Sequence, residues 1–485
     1  MTRRRTALGF TLAVLLAFLP AWPTPARADN PHPDAQWFPD AGFGLFVHWG
    51  IASVDGINIS WSMRPSKALS KTRITSAEER ERIVREKDYN LNGTVPRSPD
   101  QYWAQAARFN PQSYDPDKWL KAAKDAGFTY AVLTTRHHEG FALWPSDYGV
   151  FNTRNFMGGR DLVAPFVEAC RRNGLKVGLY YSLIDWHHPS FPVDGTHPQR
   201  DDETFKAAAA TRDIRDYQRY LHGQVRELLT GYGQIDYLFF DFSYTHRPDY
   251  WGGKGAADWD AENLLCMVRA LQPHIIVNDR LGIPGDIVTP EQYQPLEPMT
   301  RDGERVAWEA CQTLDGSWGY DRDNLDSKSP ESLIKLLVDG VAKDGNLLLN
   351  VGPDGRGRID ATAQRTFDEI AAWMDDHARS IHGAGPAPWQ APSDTRYTLR
   401  GDRLYVHLFS WPFKHLHLPG LAGEVRYAQL MADASELVPL HVDPDRVAQN
   451  TLMGGLPDGT LTLQLPIQRP DSPVPVIELF LADAP

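Results

Sequence analysis

Two carboxylates are the residues best suited to carry chemistry in this sequence, Asp241 and Glu291. Asp241 ends the mostly apolar run from Ile235 to Asp241, and Glu291 lies in a loop-like stretch that reads GDIVTPEQY. Taken singly, each has an ordinary explanation as a cap or a solvated loop residue. A facing pair is what acetal hydrolysis requires, because one carboxylate attacks carbon or activates water while the other carboxyl protonates the leaving oxygen. Glu297 and Glu309 compete with Glu291 for the proton-donating role.

Other polar residues stand where apolar, strand-like runs end: His48, Arg136-His137-His138, Tyr181 and Arg280. Adjacent histidines on one strand point to opposite faces, so the pairs His137-His138 and His187-His188 are not expected to ligate one ion together. The sequence contains no HExxH, GxGxxG, GxxxxGK[ST] or GxSxG motif. We therefore predict no metal and no organic cofactor, and expect histidines at the site to bind substrate hydroxyl groups.

Strand-like and helix-like runs alternate along most of the chain. The predicted strands are Phe43 to Trp49, Tyr130 to Arg136, Lys176 to Ser182, Ile235 to Asp241, Ile275 to Asp279 and Asn346 to Gly352. The predicted helices are Asp115 to Ala126, Asp161 to Asn173, Phe205 to Thr230, Trp259 to Leu271, Pro330 to Ala342 and Ala361 to Arg379. Apolar strands separated by helices indicate a parallel sheet covered on both faces. We predict an α/β fold with a (β/α)8-like barrel, whose active site would lie at the carboxyl ends of its strands; a doubly wound open sheet is the alternative.

A second unit is predicted after the barrel. Pro386-Ala387-Pro388 is typical of a linker, and the apolar runs beyond it are short, alternating and broken by Gly, Pro and Asp. This pattern predicts a C-terminal antiparallel β-sandwich domain over residues 386–485, following a catalytic barrel over residues 29–385. The charged, irregular insert from Met63 to Phe109 is expected to border the site.

The N-terminus has the pattern of an export signal. Three arginines, Arg3 to Arg5, precede an apolar run from Ala7 to Leu19, and Ala26-Arg27-Ala28 offers a cleavage site. We predict a signal peptide over residues 1–28 and export to the periplasm or beyond the cell. A membrane anchor is the alternative, but the apolar run is shorter than the roughly 20 residues that a span needs. We therefore expect no membrane association after cleavage.

The composition is that of a globular protein and argues against several partners. The chain has 485 residues, 42% of them hydrophobic, and a formal net charge of −12. An acidic protein lacks the basic surface that nucleic-acid binding requires. Three cysteines, Cys170, Cys266 and Cys311, are too few for a disulfide scaffold. Cys170 and Cys266 lie in helix-like apolar patterns, so buried free thiols are expected.

Seven segments occur in the order known from one enzyme family: FGLFVHWG, YAVLTTRHHEGFALWPS, GLKVGLYYSLIDWHHP, LFFD, VNDRLG, WEACQTLDGSWGY and AKDGNLLLNVGPDGRG. Together they closely resemble the α-L-fucosidases of glycoside hydrolase family 29, over roughly Trp37 to Ser380. The resemblance implies an exo-acting, retaining enzyme that removes terminal α-L-fucose from oligosaccharides or glycoconjugates through a covalent intermediate. It implies that Asp241 is the nucleophile and that Glu291 is the acid/base.

The same resemblance implies a sugar pocket formed by His48, Trp61, His137, His138, Tyr181, Phe239, Arg280 and Trp318. Phe46 is a further apolar residue that could hold the methyl group of fucose. Two positions depart from the family pattern, because Ser60 stands where many relatives have a sugar-binding glutamate and Phe239 stands where some have tryptophan. The alternatives are a related exo-glycosidase that accepts α-L-galactosides and, from another class, a non-catalytic carbohydrate-binding protein.

Overall fold

The structure, a computed structural model, describes residues 35–57, 59–64, 97–245, 252–324, 326–443 and 445–483. The predicted signal peptide over residues 1–28 and most of the insert from Met63 to Phe109 lie outside the described residues. No helix within the described ranges combines the length and the apolar character that crossing a bilayer demands.

The first part of the described chain is built on a parallel sheet. Its strands in chain order are β1 (Phe43–Val47), β2 (Tyr130–Arg136), β3 (Lys176–Ser182), β4 (Tyr237–Asp241), β5 (Ile276–Val277), β6 (Thr300–Arg301), β7 (Glu304–Arg305), β8 (Trp308–Thr313) and β9 (Gly345–Val351). Seven of them pair in the order β5-β4-β3-β2-β1-β9-β8, and β6 and β7 form a separate hairpin. All the predicted barrel strands are present, whereas β8 was not predicted as a strand.

An extended segment, residues 287–291, closes this sheet into a barrel. Isolated parallel bridges join it to both edges of the sheet: Asn278 to Ile287, Val288 to Trp308, and Glu291 to Cys311. The segment takes the place of an eighth strand, although its pairing is too irregular to form a regular one. This arrangement confirms the predicted (β/α)8-like barrel and contradicts the alternative, a doubly wound open sheet. It also places Glu291 at the end of a barrel element rather than in a free loop.

The helices of this part are α1 (Pro99–Trp103), α2 (Pro116–Asp125), α3 (Thr153–Phe156), α4 (Val163–Arg172), α5 (Glu203–Ala209), α6 (Ile214–Gly231), α7 (Ala256–Trp259), α8 (Ala261–Leu271), α9 (Pro330–Val341) and α10 (Ala361–His377). The longer ones, α2, α4, α6, α8, α9 and α10, share an apolar cluster with the outward-facing residues of the strands. The predicted start at Asp115 is confirmed, because its side chain accepts a hydrogen bond from the Lys118 backbone N–H. The single helix predicted from Phe205 to Thr230 is wrong. Asp213 caps a new start by accepting from the Arg215 N–H, so two helices cover that range.

Strand side chains alternate between the barrel interior and the helical layer. On β3 and β4, Tyr180, Tyr237 and Phe239 belong to the buried cluster inside the barrel. Their neighbours Leu179 and Leu238 belong to the larger cluster that includes the helices. This period of two decides which residues at the strand ends can reach a pocket above the barrel interior.

The C-terminal unit consists of two antiparallel sheets. Its strands are β10 (Thr395–Arg400), β11 (Arg403–Leu408), β12 (His415–Leu418), β13 (Val425–Leu430), β14 (Pro439–Leu440), β15 (Leu461–Gln464) and β16 (Val476–Leu481). The sheets have the orders β10-β11-β16-β13 and β12-β15-β14. Residues from both, among them Leu404, Leu418 and Leu463, share one apolar cluster. The predicted β-sandwich is confirmed.

All three cysteines are free. Cys170 is buried as predicted, but Cys266 is exposed, so the prediction of a buried thiol there is wrong. The buried residues of α8 are Ala261, Leu264 and Val268. Cys266 lies two residues after Leu264, about 200° around the helix, and therefore faces solvent.

Candidate active site

A pocket of about 400 Å³ opens at the carboxyl ends of the barrel strands. Nine of the ten residues predicted for the site line it: His48, Trp61, His137, His138, Phe239, Asp241, Arg280, Glu291 and Trp318. Phe46, which was expected to contact a methyl group, also lines the pocket, as do Tyr180, Phe242 and Cys311. The face of the barrel that the sequence predicted therefore carries a polar pocket with aromatic walls.

Tyr181 is the predicted site residue that does not line the pocket. Its hydroxyl donates to Gln224 Oε1 at 3.0 Å, and the Arg136 guanidinium lies 4.2 Å from the centre of its ring. Its neighbour Tyr180 faces the pocket instead and donates to Asp241 Oδ2 at 2.7 Å. The correction follows from strand alternation, since Tyr180 pairs in register with Phe239, two residues before Asp241.

Arg280 joins the two predicted catalytic carboxylates. Its Nη1 lies 2.8 Å from Asp241 Oδ1 and 2.7 Å from Glu291 Oε2. These two oxygens are therefore separated by at most the sum of 2.8 and 2.7 Å, about 5.5 Å. This upper limit is shorter than the roughly 6.5–9.5 Å between the carboxyl groups of inverting glycosidases, so the pair fits the closer spacing of retaining ones.

The guanidinium itself is held by the segment that closes the barrel. Arg280 Nε donates to Thr289 Oγ1 at 2.9 Å, and Nη2 donates to the Thr289 carbonyl at 3.0 Å. Burial alone would lower the pKa of Arg280, but the charges of Glu291 and Asp241 outweigh burial and raise it. Arg280 is therefore a fixed positive charge between two acids.

Tyr180 provides Asp241 with a second hydrogen-bond donor. Burial, together with the charge of Asp241, raises the pKa of Tyr180 well above its usual value. The phenol therefore stays protonated and donates a hydrogen bond to Oδ2 of Asp241, while Arg280 donates one to Oδ1. With its side chain only 12% exposed, Asp241 has a fixed orientation, as a nucleophile requires.

His48 presents an unprotonated nitrogen to the pocket. Its Nδ1 lies 2.6 Å from Asn350 Oδ1, and the Asn350 amide nitrogen donates to the Trp318 carbonyl. The amide oxygen can only accept, so His48 Nδ1 carries the hydrogen. Burial, followed by the neighbouring His137, lowers the pKa of His48 well below its usual value. Its Nε2 is therefore a hydrogen-bond acceptor.

His138, like His48, has a hydrogen on Nδ1 and none on Nε2. Its Nδ1 lies 2.7 Å from Ser182 Oγ, and that hydroxyl already donates its only hydrogen to the Ile184 carbonyl at 2.8 Å. Ser182 must therefore accept from His138, which leaves Nε2 unprotonated in the neutral ring. Burial, followed by the nearby histidines, lowers the pKa of His138. Its Nε2 lies 3.9 Å from Asp241 Oδ2.

His137 and His138 face the same pocket, contrary to the prediction from strand alternation. β2 ends at Arg136, so both residues follow the strand, and their ring centres lie 3.9 Å apart. One ligand atom from each of them and from Asp241 lie within 4.8 Å of one another, close enough for these three residues to hold a metal ion. The absence of a catalytic metal stays a prediction.

The two competing glutamates lie away from the pocket. Glu309 is fully buried in the barrel interior, where its oxygens accept from Tyr130 and Tyr237 at 2.5 Å each. Burial raises the pKa of Glu309 to about 7. Glu297 is exposed, and neither residue is among those that line the pocket. The geometry selects Glu291 as the partner of Asp241.

The sequence model of a family described as Alpha-L-fucosidase matches residues 21–379. This chain belongs to the α-L-fucosidase family. The matched range covers every barrel element described above, from β1 to α10.

Relatives in the fucosidase family match over most of their length. The structure of α-L-fucosidase isoenzyme 1 from Paenibacillus thiaminolyticus is 36% identical, covers 93% of this chain and 99% of its own, and gives a TM-score of 0.78. The α-L-fucosidase of Branchiostoma floridae is 29% identical over 419 residues, 83% of this chain and 86% of its own. Human tissue α-L-fucosidase is 27% identical over 431 residues, 84% of this chain and 85% of its own.

Two positions depart from the fucosidase pattern, and the structure locates both. Phe239 lines the pocket, with its ring centre 5.1 Å from that of Phe46 and 5.1 Å from the Arg280 guanidinium. Ser60 is fully buried and is not among the residues that line the pocket. Ser60 therefore cannot contact a sugar directly, as the glutamate of many relatives is expected to do.

Proposed function

We propose that this protein is an exo-acting, retaining α-L-fucosidase in which Asp241 is the nucleophile and Glu291 is the acid/base. The observation that carries this proposal is the bridge made by Arg280 Nη1, which holds one oxygen of each carboxylate within 2.8 Å at the pocket. Membership of the α-L-fucosidase family supplies the substrate class, fucosylated glycans.

The first chemical step makes a covalent intermediate. Before this step Glu291, whose side chain is 42% exposed, must take up a proton from solvent. The Asp241 carboxylate attacks the anomeric carbon, the bond from that carbon to the leaving oxygen breaks, and the protonated Glu291 carboxyl gives its proton to that oxygen. Tyr180 and Arg280 hold the nucleophile in place. The intermediate is an ester between Asp241 and the sugar.

The second step reverses the roles. Esterification removes the negative charge of Asp241, and Glu291, now ionised, takes a proton from water. The water oxygen attacks the anomeric carbon, and the ester bond to Asp241 breaks. Two inversions give net retention.

Structures of relatives support a covalent route. A Thermotoga maritima α-fucosidase that is 27% identical, with a TM-score of 0.69, has been solved with a mechanism-based inhibitor. A trapped covalent intermediate has been solved for an α-L-fucosidase of Bacteroides thetaiotaomicron, whose 22% identity shows only that the fold is shared.

Aromatic walls suit the sugar that distinguishes this family. Phe46, Phe239 and Trp318 form one side of the pocket, with the ring of Phe46 5.1 Å from Phe239 and 6.1 Å from Trp318. Fucose has a methyl group where galactose has a hydroxymethyl group, and an apolar wall favours the methyl. Such walls discriminate by about 1–3 kcal/mol, so α-L-galactosides are expected to be slow substrates.

Proton NMR of the first product formed tests the reaction class. The protein is mixed with an aryl α-L-fucoside, and the anomer released is observed before mutarotation. We expect α-L-fucose to appear first. Initial release of the β anomer would refute retention, and a failure to cleave any of a panel of aryl glycosides would favour the non-catalytic alternative.

We also propose that the protein is exported. The support is the basic, apolar and small-residue pattern of residues 1–28. Expression with its own leader should yield a mature protein that begins at Asp29. An N-terminus that retains the leader would contradict export by cleavage.

A further inference from the structure

A buried serine connects a pocket histidine to a carboxylate behind it. Ser60 begins the short helix Ser60–Met63, and its side chain is inaccessible to solvent. Its Oγ lies 2.5 Å from Glu139 Oε2 and 2.5 Å from His137 Nδ1. The Glu139 backbone N–H also points at this oxygen, at 3.2 Å. Glu139 is 3% exposed and is not among the residues that line the pocket.

Counting hydrogens fixes the direction of these bonds. A serine hydroxyl has one hydrogen to donate, and a carboxylate oxygen can only accept. Ser60 therefore donates to Glu139, and its two lone pairs accept from the Glu139 backbone N–H and from His137 Nδ1. All three hydrogen-bonding sites of the hydroxyl are then used, and Nδ1 of His137 must carry a hydrogen.

We propose that Glu139, acting through Ser60, is a positioning residue that fixes His137 in the Nδ1–H tautomer, so that its Nε2 accepts a hydrogen bond from a hydroxyl group of the bound sugar. The proposal rests on the proposed function for the identity of the ligand. Without the serine, the ring could rotate and exchange tautomers, and Nε2 would carry a hydrogen instead of a lone pair in part of the molecules.

Two neighbouring histidines support this assignment independently. His48 and His138 also donate through Nδ1 to the protein, to Asn350 and Ser182 respectively. Three rings in one pocket would thus present three acceptors. L-Fucose carries hydroxyl groups on C2, C3 and C4, each of which can donate one hydrogen bond. The pocket polarity matches a ligand with several hydroxyl donors on adjacent carbons.

Kinetics on deoxygenated substrates test the contact. Ser60→Ala removes the hydroxyl that joins His137 to Glu139, and Glu139→Met removes the carboxylate that accepts the hydrogen bond of Ser60. Each variant is assayed with 4-nitrophenyl α-L-fucoside and with its 2-, 3- and 4-deoxy analogues. Losing one hydrogen bond should lower kcat/KM for the parent substrate by roughly 10-fold. For the one analogue that lacks the partner hydroxyl, the variants and the wild type should differ by less than about twofold.

Each variant is compared with the wild type on the same analogue. The intrinsic reactivity of the analogue, which differs most for the 2-deoxy sugar, is then the same on both sides of the comparison.

Ser62→Ala is the matched control, because Ser62 lies on the same short helix, is buried, and makes no side-chain hydrogen bond within the described residues. It should behave as the wild type with all four substrates. Equal losses from Ser60→Ala across all four substrates would overturn the proposal, and so would a loss that differs in substrate dependence between Ser60→Ala and Glu139→Met.

A spectroscopic measurement tests the tautomer without any substrate. Long-range proton–nitrogen NMR on protein labelled with ¹⁵N-histidine distinguishes the two tautomers, and His137→Gln identifies the His137 signals by their loss. We expect the Nδ1–H tautomer in the wild type and a mixture in Ser60→Ala. An Nε2–H tautomer in the wild type would overturn the proposal. This result is independent of turnover, so failure to hydrolyse fucosides would refute the proposed function while leaving the tautomer tested.

Discussion

Replacing Glu291 with alanine should impair the enzyme selectively, according to the leaving group of its substrate. Glu291 lies at the pocket, with Oε2 2.7 Å from Arg280 and the side chain 42% exposed. A positioned general acid contributes roughly 10²–10⁴-fold to a rate. For a fucosylated oligosaccharide, whose leaving alkoxide needs a proton, kcat/KM should fall by about that factor. A nitrophenolate leaves without a proton, so kcat/KM for the aryl fucoside should fall by less than about 10-fold.

Azide extends this test to the second step. Glu291→Ala lacks the base that activates water, so the covalent intermediate should accumulate. An aryl fucoside should then release its phenol in an initial burst followed by a slow steady rate. Because position 291 is open to solvent and Arg280 remains as a positive charge, azide should enter and attack the intermediate. The product should be fucosyl azide of retained configuration, identified by NMR.

Glu297→Ala is the matched control, since Glu297 is exposed and outside the pocket. It should match the wild type on both substrates. Equal losses on the oligosaccharide and the aryl fucoside in Glu291→Ala, with no response to azide, would refute Glu291 as the acid/base.

Three further predictions address the surroundings of the site. Tyr180→Phe removes a hydrogen bond to the Asp241 carboxylate, worth about 1.5–3 kcal/mol, and should lower kcat/KM about 10- to 100-fold. Tyr181→Phe, the control, should leave the kinetics unchanged. A larger loss from Tyr181→Phe than from Tyr180→Phe would show that Tyr181 is the pocket residue. Glu309, with a pKa of about 7 in the folded protein, binds its proton more tightly than in the unfolded chain, so the free energy of unfolding should fall as pH rises from about 4.5 to 7, by up to about 3 kcal/mol. Urea unfolding should show this fall in the wild type and not in Glu309→Gln, and identical pH profiles for the two would contradict the buried acid. Dialysis against EDTA should leave aryl fucoside hydrolysis unchanged, and loss of activity restored by a divalent ion would instead assign a metal to His137, His138 and Asp241.

Local sequence patterns predicted most of the strands and helices and placed Asp241 at the end of a strand, whereas the role of nucleophile came from the family resemblance. The run that ends at Asp241 is apolar because a parallel strand is buried on both faces, and a carboxylate at its end lies at the barrel mouth. Tyr180 rather than Tyr181 reaches the pocket because Tyr180 lies beside Phe239 in the register of β3 and β4, and neither strand's own sequence reveals this register. Choosing Tyr181 instead was an error of one residue.

Other features depend on contacts that no local pattern encodes. The segment that positions Glu291 has no alternation of its own and is defined by one bridge to Asn278, just after β5, and by two bridges to β8. His137 and His138 share the pocket because β2 ends just before them, and strand ends are the least certain part of a sequence-based prediction. The hydrogen bonds of Ser60 to His137 and Glu139 span 77 and 79 residues. They become visible only when the barrel brings the two segments together.

Mass spectrometry of the trapped intermediate tests the assignment of the nucleophile most directly. A 2-fluoro-fucosyl fluoride slows both steps, so the intermediate should survive digestion with pepsin. The predicted result is a single 2-fluorofucosyl ester on the peptide that contains Asp241, absent from Asp241→Ala. A label on a different carboxylate, or turnover without any covalent adduct, would contradict the account.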